Sequence, residues 1–191
     1  GVVRGEVVLS GGRVLSDFTP VTDPAIRQRL DPAVRGKVVQ CNLRAQGISD
    51  FGTIVPRGHG RTGDDIVGPL ELFFRGQPMQ LARWPNAGVW ANDGWLVNTT
   101  GTPQSVLGYD GDRPNRWAPA GDIWAHGFWG SEWHYTTQPT LDIDRKQRRI
   151  ILPQGVPAGG SDRFYLVNIL EELDQSGEYY LDRTTGIVYF L

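Results

Sequence analysis

The sequence predicts an all-β domain, built as two packed sheets or an irregular barrel, with small peripheral helices. Three observations carry this. Residues 121–152, GDIWAHGFWGSEWHYTTQPTLDIDRKQRRIIL, place Trp124, Phe128, Trp129, Trp133 and Tyr135 close together and then become an alternating ladder that turns back at Arg145-Lys146-Gln147. Residues 70–84 hold two apolar runs separated by Arg75-Gly76, a hairpin signature. The closing stretch, GEYYLDRTTGIVYFL, repeats the pattern, with residues 182–186 between two aromatic runs.

Along the chain, residues 6–18 read as two short strands around Ser10-Gly11-Gly12. Asp23-Pro24 and Asp31-Pro32 each set a capping carboxylate before a Pro suited to the first helical position, which predicts a short helix over 24–30 and a helical turn after it that Gly36 ends. Residues 37–43 form a strand with Val38 or Val39 inward. Cys41 is expected to be a buried small hydrophobe, because no His neighbours it and nothing local lowers its pKa. Residues 44–68 are Gly-rich and aperiodic, a loop with room for an edge strand at 53–55. In the second arm of the 70–84 hairpin, Met79, Leu81 and Arg83 share one face and Gln80, Ala82 and Trp84 the other. Residues 86–120 return to turn chemistry, a long loop that Trp90, Trp95 and Trp117 could order. Residues 163–169 make another strand, and Asn168 is placed to cap a turn through residues 170–173.

With 191 residues, 39% of them apolar and 10% aromatic, the chain is long enough for one good core or two small ones. A formal charge of −2, from 19 basic and 21 acidic residues spread along the chain, gives no electrostatic reason for a nucleic-acid or anionic-membrane partner. Cys41 is the single cysteine, so an internal disulfide is excluded. No apolar run reaches about 18 residues, and the amino terminus lacks a signal pattern. The chain starts at Gly1 and stops at Leu191 inside an apolar run, so it is expected to be a piece of something longer.

Several constellations could carry chemistry. Exposed indoles stack on the C–H faces of sugar rings, so a rim of tryptophans would suit a carbohydrate. Trp124, Phe128, Trp129 and Trp133 are read for the most part as core, because aromatics bury the most apolar area per residue. Trp90 and Trp95, in a polar Asn/Gly loop, are the better candidates for substrate binding, with Trp117 a third. His126, Glu132 and His134 contain the residue types of a metal site, but Gly127 and Gly130 leave the geometry undefined, and no metal or cofactor is assigned. Asp142 and Asp144 share one strand face at about 7 Å, with Arg145, Lys146, Arg148 and Arg149 ready to pair with them, and Glu171, Glu172 and Asp174 form an acidic turn. Both sets are read as solvated surface rather than as catalytic carboxylates. Residues 58–63 have the glycines of a phosphate loop without the Gly-Lys-Ser/Thr that such a loop needs. Residues 109–112 lack the acidic twelfth position of an EF-hand, and Asn98-Thr99-Thr100 is a glycosylation triplet too frequent to use.

Taken together, LELFFRGQPMQLARWPN at 70–86, GDIWAHGFWGSEW at 121–133 and LEELDQSGEYYLDRTTGIVYFL at 170–191 resemble a domain near the start of bacterial right-handed parallel β-helix repeat proteins, including carbohydrate-active enzymes like those of glycoside hydrolase family 141. The resemblance implies that residues 1–20 belong to an early β-helix rung and 21–191 to an inserted β-rich accessory domain. It implies an extracytoplasmic parent that processes polysaccharide or glycoside, and the parent's own β-helix as this domain's partner. No catalytic residue is carried over, because the acting carboxylates are expected on the rungs. Arg83-Trp84-Pro85, Trp124, Trp129 and residues 182–186 receive a structural role. The runner-up readings are an independent carbohydrate-binding module and a self-sufficient hydrolase or lyase joining His126 or His134 to Glu132 or Asp142.

Overall fold

Short aromatic and β-branched runs, interrupted by Gly and Pro, pair into four sheets in the computed structural model, which describes residues 11–59, 68–88, 94–100, 105–119, 121–158 and 162–191. The architecture is an all-β, sandwich-like domain of open sheets. A five-stranded sheet runs in the order Thr19–Pro20, Val39–Asn42, Ile187–Phe190, Glu178–Asp182, Gln80–Leu81. A six-stranded sheet contains Arg57–Gly58, Tyr135–Pro139, Trp124–Phe128, Arg163–Val167 and Arg83–Trp84 in order, with Leu96–Val97 also paired to Arg163–Val167. Asp142–Asp144, Arg149–Ile151 and Val106–Gly108 form a third sheet, and Phe73–Phe74 with Gln77–Pro78 a small hairpin.

The 142–151 and closing hairpins form as expected, but the 70–84 hairpin is confined to Phe73–Phe74 with Gln77–Pro78. Its second arm does not alternate between two faces, because Gln80–Leu81 and Arg83–Trp84 join different sheets and Ala82, Arg83 and Trp84 are all buried. The closing turn is held by Asp182, whose carboxylate accepts from the Thr184 and Thr185 amides and the Thr185 hydroxyl. Gly186 sits there at φ 77°, and a Cβ on it would lie 2.5 Å from the Phe51 ring, so both backbone conformation and space demand glycine. The helix spans Pro24–Arg29 and is capped by Asp23, which accepts from the Ala25 amide at 2.8 Å. After it, Asp31 accepts from the Ala33 amide at 2.9 Å, closing the expected turn. Val38 is the inward residue of its pair, and Cys41 is buried, with burial pushing its thiol up.

Elsewhere the structure corrects the expectation. Residues 11–18 form no strand: Asp17 adopts φ 56°, and Ser16 gives its amide and carbonyl to the Gln46 side chain instead of a ladder. The other arm of that pair, 6–10, lies outside the described residues. The edge strand is Arg57–Gly58 rather than 53–55, since it follows Pro56 and pairs with Thr136 and Thr137. Residues 121–152 are not one sheet, because Trp124–Phe128 and Tyr135–Pro139 join the six-stranded sheet while the 142–151 hairpin joins the third. The loop 86–120 holds the strands Leu96–Val97 and Val106–Gly108 and the 3-10 turn Arg113–Arg116. Asn168 does not cap the turn after it; its amide donates to the Asp122 carbonyl and carboxylate, both at 3.0 Å.

The chain changes sheets at Ala82. Leu81 pairs in parallel with Tyr179, whereas Arg83 pairs antiparallel with Val167. Ala82 bridges the two, donating to the Tyr179 carbonyl and accepting from the Ile169 amide. The largest core packs Trp84, Trp117, Trp129, Phe164, Leu166 and Ile150 on the inner face of the six-stranded sheet. Two smaller cores flank the five-stranded sheet.

Candidate functional site

Strand alternation turns Ala125, Gly127, Phe164 and Leu166 toward the main core. The same period sends His126, Phe128, Tyr135, Thr137, Arg163 and Tyr165 to the opposite, outer face of the six-stranded sheet. There they meet Arg57, Arg83 and Trp95 from neighbouring segments. The lower end of this face is closed by Ile54, Trp124 and Val167. The upper end keeps Trp95, Phe128, Tyr135 and Tyr165 only half-buried.

The His126 ring stacks on Tyr165 with centroids 5.0 Å apart and planes 6° from parallel. Two hydroxyls converge on its Nδ1, Tyr135 at 3.2 Å and Thr137 at 3.1 Å, and the Tyr135 and Tyr165 oxygens are 3.0 Å apart. The Arg83 guanidinium lies 3.7 Å from the Tyr165 ring centre, fixed by bonds to the Pro85 carbonyl at 2.8 Å and the Gly94 carbonyl at 2.6 Å. Trp95 packs its edge against Tyr165 at 5.0 Å and leans on Phe128 at 5.5 Å, with the Arg163 guanidinium 5.8 Å from Trp95 and 5.3 Å from Phe128.

Burial, reinforced by Arg57 and Arg83, lowers His126 to about 4, so the imidazole is neutral at neutral pH. Burial and the bond to Tyr165 raise the Tyr135 hydroxyl, which stays protonated. An arrangement of aromatic faces, neutral hydroxyls and fixed positive charge suits binding. Among the described residues it does not set two carboxyls against each other, as glycosidic acid/base chemistry requires.

The sequence-predicted site residues fare differently. Trp95 stands on this face. Trp90 lies outside the described residues. Trp117 is corrected: it is 4% exposed, packs edge-on against Trp84 at 5.3 Å and donates its indole N–H to Glu172 at 2.6 Å, so it offers no free face to a ligand. Trp124 and Trp129 are core as expected, but Trp133 is 68% exposed, edge-on to His59 at 4.7 Å and stacked beside His134.

The two histidines and Glu132 are not brought together, since His126 belongs to the tyrosine cluster, His134 to the Trp133 cluster, and Glu132 reaches Arg163 at 3.7 Å. No group that could hold a metal occurs among the described residues. The expected pairing of Asp142 and Asp144 with the neighbouring basic residues is absent among the described contacts; Arg145 instead donates to the carbonyls of Pro114, Trp117 and Ala118. Glu171 and Glu172 are not solvated surface either, at 2% and 0% exposure. Asn98 is turned inward, its carbonyl oxygen accepting from the amides of Thr100 and Gly108.

Sequence reasoning missed Arg57, Arg83, Arg163, Tyr165, His126 and Phe128 as one surface. Period-two alternation would have grouped His126 with Phe128. The arrival of Arg57 and Tyr165 beside them depends on strand order.

No protein-family model matches the chain, and no curated protein is similar to it in sequence. A solved structure titled "Glycoside hydrolase" superposes on 99% of this chain with a TM-score of 0.55 at 16% sequence identity. The likeness is one of fold, and this chain spans 30% of that protein's length.

Proposed function

We propose that this chain is a non-catalytic accessory domain of an extracytoplasmic, carbohydrate-active β-helix protein. It packs against the β-helix of its parent and lines a glycan cleft with the outer face of its six-stranded sheet. The observation that carries the reading is the whole-domain likeness to a part, 30%, of a glycoside hydrolase. That no opposed carboxyl pair stands on the aromatic face among the described residues agrees with an accessory role.

An open groove of about 1000 Å³, lined by Leu15, Phe18, Leu72, Phe73, Phe74 and Phe190, supports the packing surface. Phe73 and Phe74 are 57% and 49% exposed, an apolar area suited to contact with another domain. The β-helix is the occupant proposed for it. A carbohydrate-binding module is the second reading, favoured by the exposure of Trp133.

The test is incubation of the purified chain with a panel of polysaccharides. No release of reducing ends or unsaturated products is expected, and turnover at any measurable rate overturns the accessory reading.

A further inference from the structure

The outer face of the six-stranded sheet carries more positive charge than a platform for neutral sugars needs. Arg57 is half-buried and makes no ion pair among the described residues. Its field, with that of Arg83, reaches both His126 and Tyr135. Arg83 is 8% exposed and immobilised by two backbone carbonyls, so its charge is a fixed feature of the floor beneath Tyr165. Arg163 stands at the rim, over the Trp95 and Phe128 rings. Glu132 is the carboxylate that reaches Arg163, at 3.7 Å with its side chain 89% exposed, a solvent-screened contact that contributes little.

Guanidinium groups beside aromatic faces match a ring that bears a carboxylate. The sugar's C–H face lies on the electron-rich ring, and its carboxylate takes charge-assisted hydrogen bonds from the arginine fork. The chain's net charge of −2 makes this a local property of one face rather than a general affinity for polyanions.

We propose that this face binds a uronate-containing polysaccharide, with sugar rings on Trp95 and Phe128 and carboxylates on Arg163 and Arg57. The inference rests on the carbohydrate reading above and names its ligand class.

Affinity electrophoresis of the purified chain through alginate and polygalacturonate, each beside its carboxyl-esterified form and beside poly-glutamate, tests it. Retardation by at least one polyuronate is expected, with binding about tenfold weaker to its esterified form and a steep loss of binding as salt rises. Arg163→Ala should reduce binding to the free polyuronate about tenfold and so narrow its preference over the esterified form, and Arg163→Lys should recover part of that preference. Trp95→Phe, which keeps a ring if Trp95→Ala fails to fold, should weaken both forms together. Equal binding of free and esterified polymers overturns the acidic-ligand inference and leaves the carbohydrate reading standing. Equal binding of poly-glutamate overturns it as mere charge attraction. Binding to no glycan, neutral or acidic, overturns this inference and the cleft-lining role together, while the packing role stands.

Discussion

At the residue scale, His126 shows how the sheet face is tuned. It is 9% exposed, held by hydroxyls and faced by Arg57 and Arg83, and its pKa falls from 6.5 to about 4. Between those values the unfolded chain binds the proton and the folded one does not, so this group's contribution is present above 6.5 and is lost as pH falls toward 4. The loss amounts to about 3 kcal/mol at most. Glu178 works in the opposite direction, since burial raises its carboxyl to about 7 and its contribution fades as pH rises through that value. A comparison of wild type with His126→Gln isolates the histidine. Urea unfolding across pH 4 to 7 should show the variant gaining on wild type steadily as the solution is acidified, and a constant gap would remove this account. Trp117 teaches a different lesson: an indole in a polar, Pro-flanked stretch reads as exposed, yet its N–H found a buried acceptor in Glu172. The acceptor is 55 residues away, beyond any local pattern.

At the element scale, the strand Trp124–Phe128 joins core to site, and Gly127 is its critical position. A Cβ there would lie 2.4 Å from the Trp129 ring and 2.8 Å from the Arg163 carbonyl, because the benzo edge of the indole packs against the glycine. Trp129 is locked in that place by donating to the Thr136 hydroxyl at 2.6 Å. Gly127→Ala should therefore destabilise the domain by about 2 kcal/mol, the usual scale of overpacking, read as a lower urea midpoint with unchanged slope. The turns at Arg75-Gly76 and at 182–186 were legible because Gly and the Asp182 cap announce them, but the second arm after the first turn was not, since Gln80–Leu81 and Arg83–Trp84 leave it for two other sheets. The strands Leu96–Val97 and Val106–Gly108 were not, because two or three residues carry too little periodicity to distinguish from loop.

At the scale of the whole molecule, a buried ionic network ties distant segments together. Glu172, fully buried, accepts from Trp117, from Arg113 at 2.6 Å and from Arg116 at 3.2 Å. Glu171 accepts from Arg29 at the helix end and from the Ala118 amide, both at 2.8 Å. Asp174 accepts from Arg113 and Asn86. The network joins the peripheral helix, the 113–116 turn and the 170–172 turn, and its arginines would lose their anion if the centre were neutralised. Glu172→Gln should cost about 3 kcal/mol, as expected for breaking a buried pair by removing one charge. Near-UV circular dichroism of the Trp117 environment through a urea titration checks both the loss and its location.

Sequence alone settles the elements whose information is local: the ladder that turns at residues 145–147, the Asp-capped helix and the hairpin turns, whereas the choice of Val38 over Val39 as the inward residue came from the packing. Sequence also places Trp95 among the binding candidates. Only the tertiary structure decides which strand face is covered, because alternation defines two faces and says nothing of what packs on each. For that reason Glu171, Glu172 and Trp117 moved inward, Trp133 moved out, and the arginines of distant strands gathered around Tyr165.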